Sequence, residues 1–107
     1  MVTETAINIA EKYIGNLPRE MDVRKAYLFG SCSRGRQSDE SDIDVAVILG
    51  SMNDFFDTQM QLLRIRRKID LRIEPHPIVE SDFSSLNPFA NEIIQSGIEL
   101  KLNDHSD

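Results

Sequence analysis

Two segments decide the fold: AYLFGS at residues 26–31 and SDIDVAV at residues 41–47. The first is a short apolar run that stops at Gly30, which is typical of a strand covered on both faces. In the second, apolar residues alternate from Ile43 to Leu49, which predicts another strand. The polar loop between them returns the chain, so the two strands are predicted to be antiparallel neighbours.

Helices are predicted before, between and after the strands. Apolar residues recur at three- and four-residue steps over residues 3–17 and again over 54–67, where Asn53 or Asp54 can cap the helix. Asn87 followed by Pro88 is typical of an N-cap and a first helical residue, so a last helix is predicted to start there.

A third strand is predicted over residues 69–74, where apolar and charged residues alternate. Pro75 and Pro77 are expected to stop it, which would leave His76 in a loop. Residues 98–100 are expected to add a short strand or to tie down the end of the chain. The resulting order of elements predicts an α/β (α+β) fold with a small sheet flanked by helices.

Length and composition narrow the class of protein. A chain of 107 residues predicts a single domain over residues 1–107. The formal net charge of −6 argues against a nucleic-acid-binding surface. No apolar run is long enough to span a membrane, and Cys32 is the sole cysteine, so no intramolecular disulfide can form. A cytoplasmic protein is therefore expected.

Three aspartates are candidate metal ligands. Asp42 and Asp44 are two residues apart on a strand, so both side chains point to one face, with α-carbons about 6–7 Å apart. Carboxylates this close repel each other unless a cation such as Mg²⁺ lies between them or one takes up a proton. If the second and third strands are parallel, Asp70 joins them at the same end of the sheet.

The turn after the first strand is a candidate phosphate site. Glycine at position 30 allows close approach of a phosphate, while the Ser31 hydroxyl and Arg34 can contact its oxygens. Taken singly, these residues also suit a common turn and solvent-exposed charges. Taken together, they indicate metal-dependent phosphate chemistry.

The pattern resembles a known family. Gly30-Ser31, ten residues, then Asp42-Ile43-Asp44 is similar to the signature of nucleotidyltransferases of the DNA polymerase β superfamily. The resemblance covers residues 26–100, the expected core of the domain. Ile69-Asp70-Leu71 resembles the site of the third carboxylate, with Glu74 as a competing acid. Cys32 departs from the arginine that many members carry there, which affects one phosphate contact.

The short chain resembles the minimal nucleotidyltransferases (MNT) that pair with HEPN-domain proteins. The resemblance implies a polymerase β-like mixed sheet and the antitoxin of a type VII-like MNT/HEPN toxin–antitoxin pair. It implies a protein adenylyltransferase that moves AMP from ATP to a tyrosine hydroxyl of the toxin, with two Mg²⁺ ions. The implied catalytic and metal-binding residues are Asp42, Asp44 and Asp70, and the implied nucleotide-binding residues are Gly30, Ser31 and Arg34.

Two alternatives remain open at the level of sequence. The chain could neutralise its partner by contact alone, without catalysis. It could also transfer a nucleotide to a small molecule, although no separate substrate domain fits within 107 residues. Neither a membrane nor a nucleic acid is expected as a partner, and a homo- or hetero-oligomer is left open.

Overall fold

A computed structural model describes residues 3–30 and 42–102 of the chain. The helices there are α1 (Thr3–Gly15), α2 (Phe55–Ile65) and α3 (Pro88–Ser96). The strands there are β1 (Val23–Phe29), β2 (Ile43–Leu49), β3 (Ile73–Val79) and β4 (Ile98–Glu99). No helix within these residues is both long and apolar enough to cross a membrane.

The strands form one mixed sheet in the order β3-β2-β1-β4. Strand β1 is antiparallel to both β2 and β4, whereas β2 and β3 are parallel and are joined through α2. The predicted antiparallel pairing of β1 and β2 is confirmed, and β2 and β3 have the parallel pairing that the sequence analysis set as a condition for bringing the aspartates together. The predicted class, a small mixed sheet flanked by helices, is confirmed as well.

One face of the sheet, the covered face, is buried beneath α1 and α2. Alternate residues of β1 and β2, including Leu28, Val45 and Val47, pack there against side chains such as Ala10 of α1 and Leu62 of α2. All five of these residues are completely buried. Burial of such apolar surface is the main stabilising contribution in a domain of this size.

Tyr13 connects the two helices of the covered face. Its side chain is fully buried, and its hydroxyl donates a hydrogen bond of 2.8 Å to the Leu62 carbonyl. Burial raises the pKa of Tyr13 because the charged phenolate would be desolvated. The hydroxyl therefore stays a neutral donor, and the polar group is satisfied inside the core.

The opposite face, the site face, has a smaller core. Tyr27 and Phe29 of β1 pack there with Ala46 and Ile48 of β2 beneath Ile93 of α3. Ile93 of α3 thus packs on the two central strands of the sheet, β1 and β2. The first residues of β2 extend beyond this contact.

The third strand differs from the prediction. Residues 69–74 do not form the strand; β3 spans Ile73–Val79 and contains both prolines. The Ile43 N–H donates to the Arg72 carbonyl at 2.8 Å, so the backbone of even-numbered β3 residues faces β2. The prolines therefore point their missing N–H outward at the sheet edge, where no neighbouring strand needs it.

Side chains from α2 and the turn after it cover the carbonyls on this outer edge. The Gln59 amide donates to the Pro75 carbonyl at 3.2 Å, and Arg66 donates to the Ile73 carbonyl at 2.9 Å. The edge thus lacks N–H groups at both prolines, and its carbonyls at Ile73 and Pro75 are already hydrogen-bonded. Such an edge is a poor template for another strand.

The predicted helix starts are confirmed in detail. The Asp54 carboxylate accepts a hydrogen bond from the Asp57 N–H at 3.0 Å. The Asn87 side chain accepts from the N–H groups of Phe89 and Ala90 at 3.0 and 3.2 Å. These contacts satisfy backbone donors that the first turn of a helix leaves free.

Candidate active site

The turn after β1 lies directly against the carboxylates of β2. Asp44 is the register partner of Phe29, the last residue of β1, and Gly30 follows with a φ of +77°. A Cβ at Gly30 would lie 2.5 Å from Asp44 Oδ2, so a side chain there would collide with the carboxylate. Glycine is thus required by both its backbone conformation and the close approach.

Asp42 and Asp44 lie at one end of a groove of about 420 Å³. The groove runs along the outer edge of β3 and is called the carboxylate groove below. Its lining residues are Asp42, Asp44, Phe55, Gln59, Glu74, Pro75, His76, Pro77, Ile78 and Phe89. The groove therefore combines an acidic end with a wall of aromatic and proline side chains.

Two predicted nucleotide-binding residues cannot be placed against this groove. Ser31 and Arg34 lie outside the described residues, as does Cys32. Their predicted phosphate contacts stay predictions. Gly30 itself is adjacent to Asp44, as the antiparallel arrangement of the first two strands predicts.

Asp70 does not share the groove with the other two aspartates. It lies in the turn before β3, three residues ahead of Ile73, where the strand begins. Its carboxylate binds the Arg72 guanidinium, with 2.6 Å between Asp70 Oδ2 and Arg72 Nη2. The Arg72 side-chain hydrogen bonds hold the pKa of Asp70 below its usual value. As a metal ligand, Asp70 stays a prediction that this position does not support.

Glu74 is the acidic residue that the structure brings beside Asp44. The two are register partners on parallel strands, and both line the carboxylate groove. Glu74 Oε2 lies 3.5 Å from Arg66 Nη1 at the outer edge of the sheet. The sequence flagged this residue as a competitor of Asp70, and the shift of β3 by several residues explains why it takes the adjacent position.

His76 was missed as a site residue because it was expected in a loop. It lies inside β3, and its Nε2 is 3.1 Å from Asp44 Oδ1. The alternation Glu74, His76, Ile78 continues through the prolines and is the signal that could have revealed it.

The donor set suits a hard divalent cation. Carboxylate oxygens from Asp42, Asp44 and Glu74 are the ligand type that Mg²⁺ prefers, and Gly30 leaves space against one of them. Across residues 3–30 and 42–102, no three Asp, Glu, His or Cys side chains already cluster as a metal site. Glu74 is instead directed toward Arg66, so joining the aspartates requires it to turn.

The fold and the paired carboxylates together define a nucleotidyltransferase. The family described as "Polymerase beta, Nucleotidyltransferase" matches residues 11–106, and the chain belongs to this family. No significant match was found among curated proteins.

Solved structures that share the fold include two with a toxin–antitoxin pair. One is a toxin–antitoxin crystal structure with AMP-PNP, with a TM-score of 0.60 and 22% identity, covering 97% of this chain and 76% of the other. The second is an MNT antitoxin in complex with a tri-AMPylated HEPN toxin from Shewanella oneidensis. Its TM-score is 0.58 at 20% identity, covering 95% of this chain and 74% of the other.

Proposed function

We propose that this chain is an MNT antitoxin that transfers AMP from ATP to a tyrosine hydroxyl of a partner HEPN toxin and so neutralises it. The observation that carries the proposal is the pair Asp42 and Asp44 beside Gly30 at the acidic end of the carboxylate groove. The fold shared with an MNT antitoxin bound to a tri-AMPylated HEPN toxin supports this choice of substrate.

The cation would be held by Asp42, Asp44 and a third carboxylate. When bound, Mg²⁺ supplies positive charge that neutralises the phosphates. We favour Glu74 over Asp70 as the third carboxylate because Glu74 neighbours Asp44 on the adjacent strand, while Asp70 is paired with Arg72. The use of two ions, which the family resemblance implies, is part of the proposal.

The protein's own residues would mainly bind and orient. Gly30 lets the triphosphate approach the backbone, with Ser31 and Arg34 as further proposed phosphate contacts. The tyrosine oxygen attacks the α-phosphorus, a new P–O bond forms, and the bond to pyrophosphate breaks. A carboxylate of the site accepts the phenolic proton. Positioning and charge neutralisation supply most of the acceleration.

The aromatic wall of the carboxylate groove suits the acceptor. Phe55 and Phe89 are 58% and 42% exposed although both are large apolar residues. A tyrosine ring of the partner could pack against them while its hydroxyl reaches the acidic end. This wall supports a protein acceptor over a small polar molecule.

A second candidate function is neutralisation by contact alone. Phe56 and Met60 of α2 are also exposed, at 69% and 42%, and do not line the carboxylate groove. An apolar surface of this kind favours protein binding. Binding through α2 would not need the carboxylates at all.

Intact mass spectrometry separates these functions. The chain would be incubated with Mg-ATP and its HEPN partner, and both proteins weighed. We expect the partner to gain one or more AMP units, with the gain lost in Asp42→Asn. Asp82→Asn is the matched control, because Asp82 is an exposed carboxylate outside the groove. A stable, inactive complex without any mass gain, with each of the four common nucleotides, would favour contact inhibition.

A further inference from the structure

His76 occupies a special place beside the proposed metal ligands. Its register partner on β2 is Ala46, two residues after Asp44 on the same face. The small alanine side chain leaves the diagonal path across the strands open. The imidazole can therefore reach Asp44, and its Nε2 lies 3.1 Å from Asp44 Oδ1.

The two Asp44 oxygens have different surroundings. Oδ1 meets the imidazole, whereas Oδ2 faces the position where a Cβ of Gly30 would stand. A carboxylate oxygen accepts hydrogen bonds, so this contact is a hydrogen bond when His76 Nε2 carries a hydrogen. The imidazole thus holds one oxygen and leaves the other toward the glycine turn.

The imidazole is itself held by packing. Its ring lies edge-on to Phe29, with centroids 5.0 Å apart and planes at 64°, and tilted against Phe89 at 6.1 Å. Phe29 and Phe89 also contact each other edge to face, at 5.6 Å. Pro75 and Pro77 fix the backbone φ on either side of the histidine. The donor is therefore preorganised before any ligand arrives.

We infer that His76 is a positioning residue that holds the Asp44 carboxylate in the orientation used for the cation and nucleotide. The inference rests on the proposed function for the role of Asp44. Carboxylates that bind metals are themselves usually hydrogen-bonded, and loss of such a partner typically lowers metal affinity or activity about 10–100-fold. His76 acts through Asp44 and is not itself a catalytic residue.

Two substitutions separate the hydrogen bond from the ring. His76→Phe keeps an aromatic ring for Phe29 and Phe89 but removes the donor. His76→Gln removes the ring but carries an amide N–H donor at a similar distance from the backbone. A role in packing and a role in orienting Asp44 thus predict opposite rankings of the two variants.

The first measurement is Mn²⁺ binding to the full chain by calorimetry, without ATP or partner. We expect His76→Phe to weaken binding about 10–100-fold, as for other partners of metal-binding carboxylates. We expect His76→Gln to stay within a few-fold of wild type, while Asp44→Asn abolishes binding. Urea unfolding of each variant identifies any loss of folded protein, and only folded samples are compared.

Three results would overturn the inference. They are unchanged Mn²⁺ affinity in folded His76→Phe, an equal loss in both histidine variants, and a wild-type chain that binds no Mn²⁺. An equal loss would instead indicate direct metal ligation by the imidazole.

AMP transfer to the partner is measured second, with kcat expected to follow the Mn²⁺ ranking. If no AMP is transferred even by wild type, but His76→Phe still loses Mn²⁺ affinity and His76→Gln keeps it, the positioning role stands and the proposed function fails. The two failures are therefore distinguishable.

Discussion

The two faces of the sheet differ in composition: the covered face holds most of the apolar core, and the site face carries the carboxylates. Among the described residues, the covered face has a core of fifteen buried side chains and the site face a core of five. The core of the covered face consists of apolar side chains and Tyr13, whereas the site face extends past its apolar core into Asp42, Asp44 and Glu74. A single β2 strand supplies both, because its alternate residues point to opposite faces. We therefore expect substitutions on the covered face to change the stability of the fold and substitutions on the site face to change activity.

Among the variants that compare the two faces, the largest expected effect is on the site face and concerns the third carboxylate. Glu74→Gln keeps the size of the side chain but removes the charge beside Asp44. We expect AMP transfer to fall about 10²–10³-fold, the range seen when one preorganised electrostatic group is lost. Asp70→Asn should change the rate only a few-fold. Steady-state kinetics with the partner toxin measure both variants.

The reverse ranking would favour the sequence-based choice of Asp70. Equal large losses in both variants would mean that both carboxylates take part in the reaction. The assignment of Glu74 to the active site and of Asp70 to a structural turn would then be wrong. Circular dichroism of each variant controls for folding.

A substitution on the covered face should lower the stability of the protein and leave metal binding unchanged. Leu62→Ala removes a fully buried side chain beneath the sheet and leaves a cavity. We expect the free energy of unfolding to fall by about 2–5 kcal/mol, measured in urea at neutral pH. Leu86→Ala is the control, since Leu86 is 92% exposed, and should stay within about 0.5 kcal/mol of wild type.

Metal binding is the complementary readout for Leu62→Ala. At temperatures where the variant stays folded, its Mn²⁺ affinity should match wild type. A large loss of Mn²⁺ affinity in folded protein would contradict the separation of the two faces.

The sequence predicted most of this arrangement because its local signals agree. Apolar residues at alternate positions from Ile43 marked β2 and put Asp42 and Asp44 on one face, and the polar loop after β1 indicated its antiparallel pairing with β2. The caps at Asp54 and Asn87 were readable from single residues. In each case a short-range rule matched the tertiary context.

The sequence could not show which backbone groups of β3 face the open edge of the sheet. From the sequence, Pro75 and Pro77 predict the end of a strand, but their effect depends on which way each missing N–H points, and that is set by pairing with β2. When β3 is predicted to begin at residue 69, four residues before Ile73, Asp70 falls at the start of the strand and His76 falls in a loop. The predicted positions of Asp70 and His76 thus depend on the same strand boundary, and the role of Asp70 as a metal ligand stays a prediction.

A smaller effect is expected at the rim of the carboxylate groove. Phe55 and Phe56 are adjacent and exposed on α2, yet only Phe55 lines the groove. We expect Phe55→Ala to raise the KM for the toxin about tenfold, equivalent to ~1.4 kcal/mol of binding, with the KM for ATP unchanged. Phe56→Ala should leave both constants near wild type.

A rise in the KM for ATP would instead assign the Phe55 ring to the nucleotide. A stronger effect of Phe56→Ala on toxin binding would show that the outward side of α2 is the contact surface. That outcome would support inhibition by contact over a groove-bound acceptor.

The smallest expected effect concerns the contribution of Asp70 to the stability of the folded protein. Its pKa is held below the usual value chiefly by the side-chain hydrogen bonds of Arg72, so it stabilises the folded state while ionised. That contribution is present above the unfolded-state pKa of about 4 and is lost as the pH falls through the lower folded-state value. The side chains of Asp70 and Arg72 are 17% and 34% exposed, so solvent screening limits its size.

Asp70→Asn should therefore reduce the free energy of unfolding by about 0.5–1 kcal/mol at pH 7, a typical value for a partly exposed ion pair. The asparagine oxygen can still accept from the Arg72 backbone N–H, which wild-type Asp70 Oδ1 binds at 2.9 Å, so the turn itself should persist. Urea unfolding at pH 7 and at pH 3 tests the sign: the difference from wild type should shrink at the lower pH, because the wild-type Asp70 carboxylate is then protonated for more of the time, whereas Arg72 stays charged. A difference that is constant with pH would mean that the charge of Asp70 does not contribute to the free energy of unfolding. A loss of Mn²⁺ affinity in Asp70→Asn would instead indicate that Asp70 takes part in metal binding.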